Sequence, residues 1–289
     1  PFGDPMRERE TMYESGIISD FDGFMGQMQA EPGILGAWNF GSAMHGLSDE
    51  YSDVDIVFLV EKNSFEKTEQ RVLALLDALC DQVLLCWEEE FNSECIVNNG
   101  YLLKKGEQVF QFDVFLLNQA YLDDFMCRIH YTNLQGKDVV WDPYGEVHKL
   151  CRNSPQGQYW DSDFNRLCRT YWYHVHMSAK YLRRRDYFKL RGVMQTLFET
   201  HQSLLLTAYD QIRWGGPANK SAFLPKEKQE HLKRYDCSVD FFQNREQLWQ
   251  SIHWFLQDFE EICGQKGTDC DSITANAVCV YWEDCVSKM

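Results

Sequence analysis

Residues 36–60, GAWNFGSAMHGLSDEYSDVDIVFLV, constrain this chain more than any other stretch. A short apolar run ends in Gly41-Ser42, a polar segment follows, and Asp53-Val54-Asp55 leads into a second apolar run. Side chains alternate sides along a strand, so two aspartates one residue apart share a face, about 7 Å apart at Cα. Such carboxylates repel one another unless a cation sits between them. The spacing therefore points to a divalent metal. Gly41 permits close backbone approach, and with Ser42 it is placed to open a helix whose N–H groups and hydroxyl favour phosphate.

A third carboxylate belongs with the pair. Gln111-Phe112-Asp113-Val114-Phe115-Leu116-Leu117 reads as a strand with one aspartate among apolar residues, which requires a reason. Alone, Asp113 fits an ion pair with Lys104 or Lys105, and Asp53-x-Asp55 fits a capped turn. Together, three carboxylates on neighbouring strands form a cradle for paired Mg²⁺ ions. Phosphoryl and nucleotidyl transfer need such a cradle to neutralise a triphosphate and align the nucleophile.

The remaining pattern supplies a scaffold. Helical spacing over 6–30 stops at Glu31-Pro32-Gly33. Strands are expected over 34–40, 56–60, 82–87, 95–97, 109–117 and 138–143, and helices over 64–79 and 119–129. Asn98-Asn99-Gly100 reads as a hairpin turn. Beyond residue 158 the pattern is helical only, at 164–185, 187–214, 226–235 and 245–263. The linker-like Arg152-Asn153-Ser154-Pro155-Gln156-Gly157-Gln158 sets domains at 6–152 and 158–289. The expected class is α/β (α+β), a mixed sheet with helices followed by a helical bundle.

Charge narrows the partners. The 289 residues carry 28 basic and 44 acidic side chains, a formal net charge of -16. Such a surface repels nucleic acid and anionic membranes and attracts cations. A polycationic small substrate suits it. The acidic run Glu88-Glu89-Glu90 with Glu94 reads as a solvated face, able to hold ammonium groups if it borders the cleft. The eleven cysteines include no C-x-x-C pair and no zinc-ligand spacing, so they read as reduced thiols of a cytoplasmic protein. No run of 18 apolar residues occurs, no signal-peptide pattern opens the chain, and the five residues ahead of Met6 read as an expression remnant.

At Gly41-Ser42, ten residues and then Asp53-x-Asp55, the chain resembles the nucleotidyltransferase superfamily with the polymerase-β-like fold, and in particular its antibiotic-modifying members. Residues 111–117 resemble the strand that carries their third carboxylate. Tyr171-Trp172-Tyr173-His174-Val175, followed by Lys180-Tyr181-Leu182-Arg183-Arg184-Arg185-Asp186, is similar to the streptomycin-type aminoglycoside 6-adenylyltransferases. Trp214-Gly215-Gly216 through Lys233-Arg234-Tyr235 has a weaker likeness to both aminoglycoside and lincosamide enzymes. The resemblance implies that Lys180 contacts nucleotide phosphates. Two departures stand out: Ala43 occupies the place of an arginine, and His176 the place of a catalytic glutamate.

These observations give an expected activity: Mg²⁺-dependent transfer of a nucleoside monophosphate, AMP from ATP, to a hydroxyl of an aminoglycoside-type antibiotic. Asp53, Asp55 and Asp113 would ligate two Mg²⁺ ions. Asp113 would act as base, with His176 as the alternative, and Gly41, Ser42 and Lys180 would bind the nucleotide. Partners would be the antibiotic and a nucleoside triphosphate, with no nucleic acid or membrane, in a monomer or homodimer. Alternatives are a lincosamide nucleotidyltransferase, a nucleotidyltransferase acting on a protein, and a nucleotide-binding regulatory module.

Overall fold

The computed structural model describes residues 17–41, 53–156, 163–209, 220–267 and 272–287. The chain forms two compact units, Pro1–Gly157 and Gln158–Met289. The first is α/β, and the second is helical throughout its described residues.

The first unit is built on a six-stranded mixed sheet. Its strands are β1 (Ile34–Asn39), β2 (Val54–Val60), β3 (Gln82–Glu88), β4 (Ile96–Lys105), β5 (Gln108–Asn118) and β6 (Val139–Trp141). Their order across the sheet is β3-β4-β5-β2-β1-β6. Among the described residues, only the β2–β5 pairing is parallel. These two strands hold the centre because they are the most continuously apolar, and residues 56–60 and 114–118 are buried on both faces. On one face, α1 (Ile17–Ala30) and α2 (Phe65–Leu79) pack Phe24, Met28, Val72 and Leu75 against Ile56, Phe58, Phe112 and Val114. On the other, α3 (Phe125–Tyr131) and α4 (Glu146–Asn153) pack Cys127, Tyr131 and Val147 against Trp38, Val57, Phe115 and Leu117.

The sequence pattern is corrected at β4. Residues 98–100 are not a turn, because β4 runs unbroken from Ile96 to Lys105 and pairs residue for residue with β5. Asn99 is buried and donates to the Tyr101 hydroxyl at 3.3 Å, and Gly100 stands opposite Asp113. The hairpin turn comes at Gly106, which adopts φ +58°, a left-handed conformation that glycine takes without strain. The helix expected over 119–129 divides into a short 3₁₀ turn, Gln119–Tyr121, and α3, whose N-cap Asp124 accepts from Met126 N at 2.8 Å.

The second unit contains α5 (Phe164–Arg184), α6 (Tyr187–Tyr209), α7 (Lys226–Leu232), α8 (Phe241–Lys266) and α9 (Ser272–Ser287). Its core brings together Tyr171, Val175, Leu182, Leu197, Leu205, Phe255 and Trp282. Within that core lies a polar knot. The Asp258 carboxylate is fully buried and accepts from His201 Nε2 at 2.8 Å, His231 Nδ1 at 2.8 Å and Lys228 Nζ at 2.6 Å. His201 Nδ1 meets the Tyr235 hydroxyl, which meets the Tyr171 hydroxyl, both at 2.8 Å. Burial alone would raise the Asp258 pKa, but these hydrogen bonds outweigh it and take the carboxyl down to about 2.

Cys263 on α8 is disulfide-bonded, a correction to the expectation of an all-thiol chain, since such a bridge has no spacing signature. Cys80, Cys86, Cys95, Cys127, Cys151, Cys168, Cys237, Cys279 and Cys285 are not disulfide-bonded. Among the described residues, no helix is long and apolar enough to cross a membrane.

Candidate metal centre

Parallel pairing of β2 and β5 sets Asp55 directly beside Asp113, and Asp53 lies one residue before β2 on the same face. One oxygen from each of Asp53, Asp55 and Asp113 lies within 4.8 Å of the other two. Among the described residues, no other group of three His, Cys, Asp or Glu side chains converges in this way. The three carboxylates anticipated from sequence are therefore one cluster.

Its electrostatics call for a cation. Burial, then the charges of Asp53 and Asp113, push the Asp55 carboxyl up to about 7. Burial also raises Asp113, to about 6, although Gln111 Nε2 donates to its Oδ2 at 2.7 Å; repulsion from Asp53 and Glu89 adds to the rise. Three oxygens of hard, anionic ligands match the donor preference of Mg²⁺. The residues fit the metal.

Two glycines shape the cluster. Gly41 has φ +61°, and a Cβ there would lie 2.0 Å from Asp55 Oδ2. The backbone thus reaches the carboxylate more closely than any side chain would allow. Phe40, just before it, is fixed by its N–H donating to Asp55 O at 3.1 Å and by ring contacts with Phe115 and His130. On the other flank, a Cβ on Gly100 would lie 2.7 Å from Asp113 Oδ1. Gly100 leaves the gap into which the Asp113 carboxylate leans. The sequence offered a signal for Gly100, but the Asn-Asn-Gly pattern concealed it as a turn.

The other sequence candidates stand as follows. Ser42, and the residues between it and Asp53, lie outside the described residues. Lys180 is on α5 of the second unit, half-buried, with its Nζ 3.3 Å from Met177 Sδ and 5.0 Å from the Tyr181 ring centre. His176 is exposed on the same helix and stacks on Tyr281 at 4.4 Å. Tyr171 and Trp172 are core residues, whereas Tyr173 is exposed. Lys104 and Lys105 pair along the hairpin with Val109 and Gln108, away from the Asp113 rung.

No protein-family model matches the sequence, and no curated protein matches it. Among solved structures, the chain is similar to an aminoglycoside 6-adenyltransferase from Bacillus subtilis, at 12% identity and a TM-score of 0.40, over 92% of this chain and 97% of that one. The carboxylate cluster, not this likeness, carries the functional reading.

Proposed function

We propose that the protein is a divalent-metal-dependent nucleotidyltransferase of polymerase-β-like type that moves AMP from ATP to a hydroxyl of a cationic, aminoglycoside-type antibiotic. The observation that carries this is the convergence of Asp53, Asp55 and Asp113 on one face of the β2–β5 pair. Asp53 and Asp55 would hold both Mg²⁺ ions, and Asp113 would share one. Bound there, the metal supplies charge neutralisation for the triphosphate and for the departing pyrophosphate.

The chain's own residues do the rest. Gly41 brings backbone within reach of a phosphate beside Asp55, and Ser42 adds a hydroxyl donor. Asp113 accepts the acceptor's hydroxyl proton as its oxygen attacks the α-phosphorus. The bond from the α-phosphorus to the bridging oxygen breaks, and pyrophosphate leaves with the electron pair. Asp113 is favoured over His176 because it sits within the carboxylate cluster. Lys180 is included as a nucleotide contact, so Lys180→Ala is expected to raise the nucleotide KM several-fold with little change in kcat. The formal charge of -16 favours a polycation as acceptor.

The test is incubation with Mg-ATP and a panel of aminoglycosides and lincosamides, read by mass spectrometry for a nucleotidyl adduct. An aminoglycoside adduct that disappears with EDTA is the expected result. An adduct on a lincosamide or on protein would reassign the acceptor. Absence of any adduct with any nucleoside triphosphate rejects transferase activity.

A further inference from the structure

Across the sheet, one row of residues runs Asp55, Asp113, Gly100, Trp87, on β2, β5, β4 and β3 in turn. Paired residues on adjacent strands share a face, so the Trp87 side chain stands on the carboxylate side. Gly100 has no side chain to separate them. A Cβ there would lie 2.7 Å from Asp113 Oδ1 and 3.8 Å from Trp87 Cβ, so carboxylate and indole border the same gap. Trp87 is 61% exposed, although it is a large aromatic on a short edge strand. Leu85, two residues earlier on that face, is 45% exposed. Two residues later, Glu89 continues the ladder through its N–H to Asn98 O at 3.2 Å, and its charge is felt at Asp113.

We infer that Trp87 and Glu89 form the acceptor subsite: an aromatic platform and a carboxylate that seat an amine- or guanidine-bearing ring with its hydroxyl toward Asp113. The polarity of the row supports this choice and builds on the nucleotidyl-transfer reading. Gly41, the phosphate-side backbone, flanks Asp55, whereas Trp87 lies on the far side of Asp113, where the attacking group must enter. An indole face attracts a cation through its ring quadrupole and stacks on the apolar face of a saturated ring. A neighbouring carboxylate adds charge-assisted hydrogen bonds to ammonium or guanidinium. Both features match a cationic ring and repel a phosphate.

Calorimetric titration separates the subsite from the chemistry. Streptomycin, kanamycin and spectinomycin are titrated into the full-length protein in EDTA, and the α,β-methylene analogue of ATP is titrated with Mg²⁺. The wild-type protein is expected to bind at least one of the three cations. Trp87→Ala should weaken that binding about ten-fold, Trp87→Phe less than about three-fold, and Glu89→Gln by a few-fold, with nucleotide affinity unchanged in each. Trp87 is exposed, so an unaltered melting temperature is expected for its variants. The proposal is overturned if none of the three cations binds, if Trp87→Ala binds as wild type, or if that variant loses nucleotide affinity instead. Cation binding that depends on Trp87, without any nucleotidyl adduct, would uphold the subsite and reject the transfer reaction.

Discussion

At the scale of single residues, the cluster holds charge that the fold alone does not neutralise. Asp113→Asn keeps the shape of the side chain and removes both the proposed metal ligand and the proposed base. Turnover should fall by about 10³-fold with secondary structure unchanged by circular dichroism. Asp55→Asn should also abolish turnover, yet stabilise the protein in EDTA. The Asp55 pKa is raised from 3.8 to about 7 in the folded state, so ionisation opposes folding. Its contribution is therefore favourable below about pH 4 and is lost as pH rises through 7. Removing the charge is expected to raise stability at pH 8 by about 1–3 kcal/mol, measured by urea denaturation. Gly41→Ala should cost activity through displacement of the Asp55 carboxylate, since its Cβ would lie 2.0 Å from Oδ2. The three aspartates were legible in sequence because carboxylates in apolar runs are costly without a purpose. Gly100 was misread and Trp87 passed over, because their meaning lies in a cross-strand register that no local window contains.

At the scale of elements, local chemistry explains the ends and tertiary pairing explains the middles. Asp240 caps α8 by accepting from Phe242 N at 2.8 Å, so Asp240→Ala should cost about 1 kcal/mol in chemical denaturation. The start of α8 at Phe241, four residues before the periodicity suggested, follows from that cap. The buried strands β2 and β5 were evident from continuous apolar runs. β4 was not, because Asn98-Asn99-Gly100 carries turn chemistry that pairing with β5 overrides. α4 and α9 were missed outright. α4 is only eight residues long, and α9 spreads apolar residues around its surface. The carboxylate-bearing strands were evident because they are buried on both faces, and β3 was read to within one residue, at 82–87, although most of it is exposed.

At the scale of the whole molecule, the two units answer pH in opposite directions. In the first, the raised carboxylates of Asp55 and Asp113 weaken the fold as pH rises from about 4 toward 7, and these two large shifts outweigh the opposing effect of His130, whose pKa burial lowers. In the second, the lowered pKa of Asp258 gives stability that is lost as pH falls below 3.8, and burial lowers the His201 pKa, so its contribution is lost as pH falls below 6.5. Calorimetry in EDTA is expected to show one transition moving up and the other down between pH 8 and pH 5. Asp258→Ala, which strands His201, His231 and Lys228 without their shared acceptor, should lower only the second unit's transition, by about 3–5 kcal/mol of stability. A single transition shifting one way with pH would reject this division. Mg²⁺ should raise the first transition, more at pH 8 than at pH 5, where protons compete for the carboxylates.

The parallel β2–β5 pairing also fixes when the site can exist. Asp55 and Asp113 share a rung, yet α2, β3 and β4 all intervene between them along the chain. Closing that loop must precede any cradle. During synthesis, the emerging polypeptide therefore carries Asp53 and Asp55 without the third carboxylate of the proposed Mg²⁺ site until β5 has left the ribosome and docked. On the proposed metal-dependent reading, metal capture thus follows the docking of β5, and β6 then closes the far edge of the sheet beside β1.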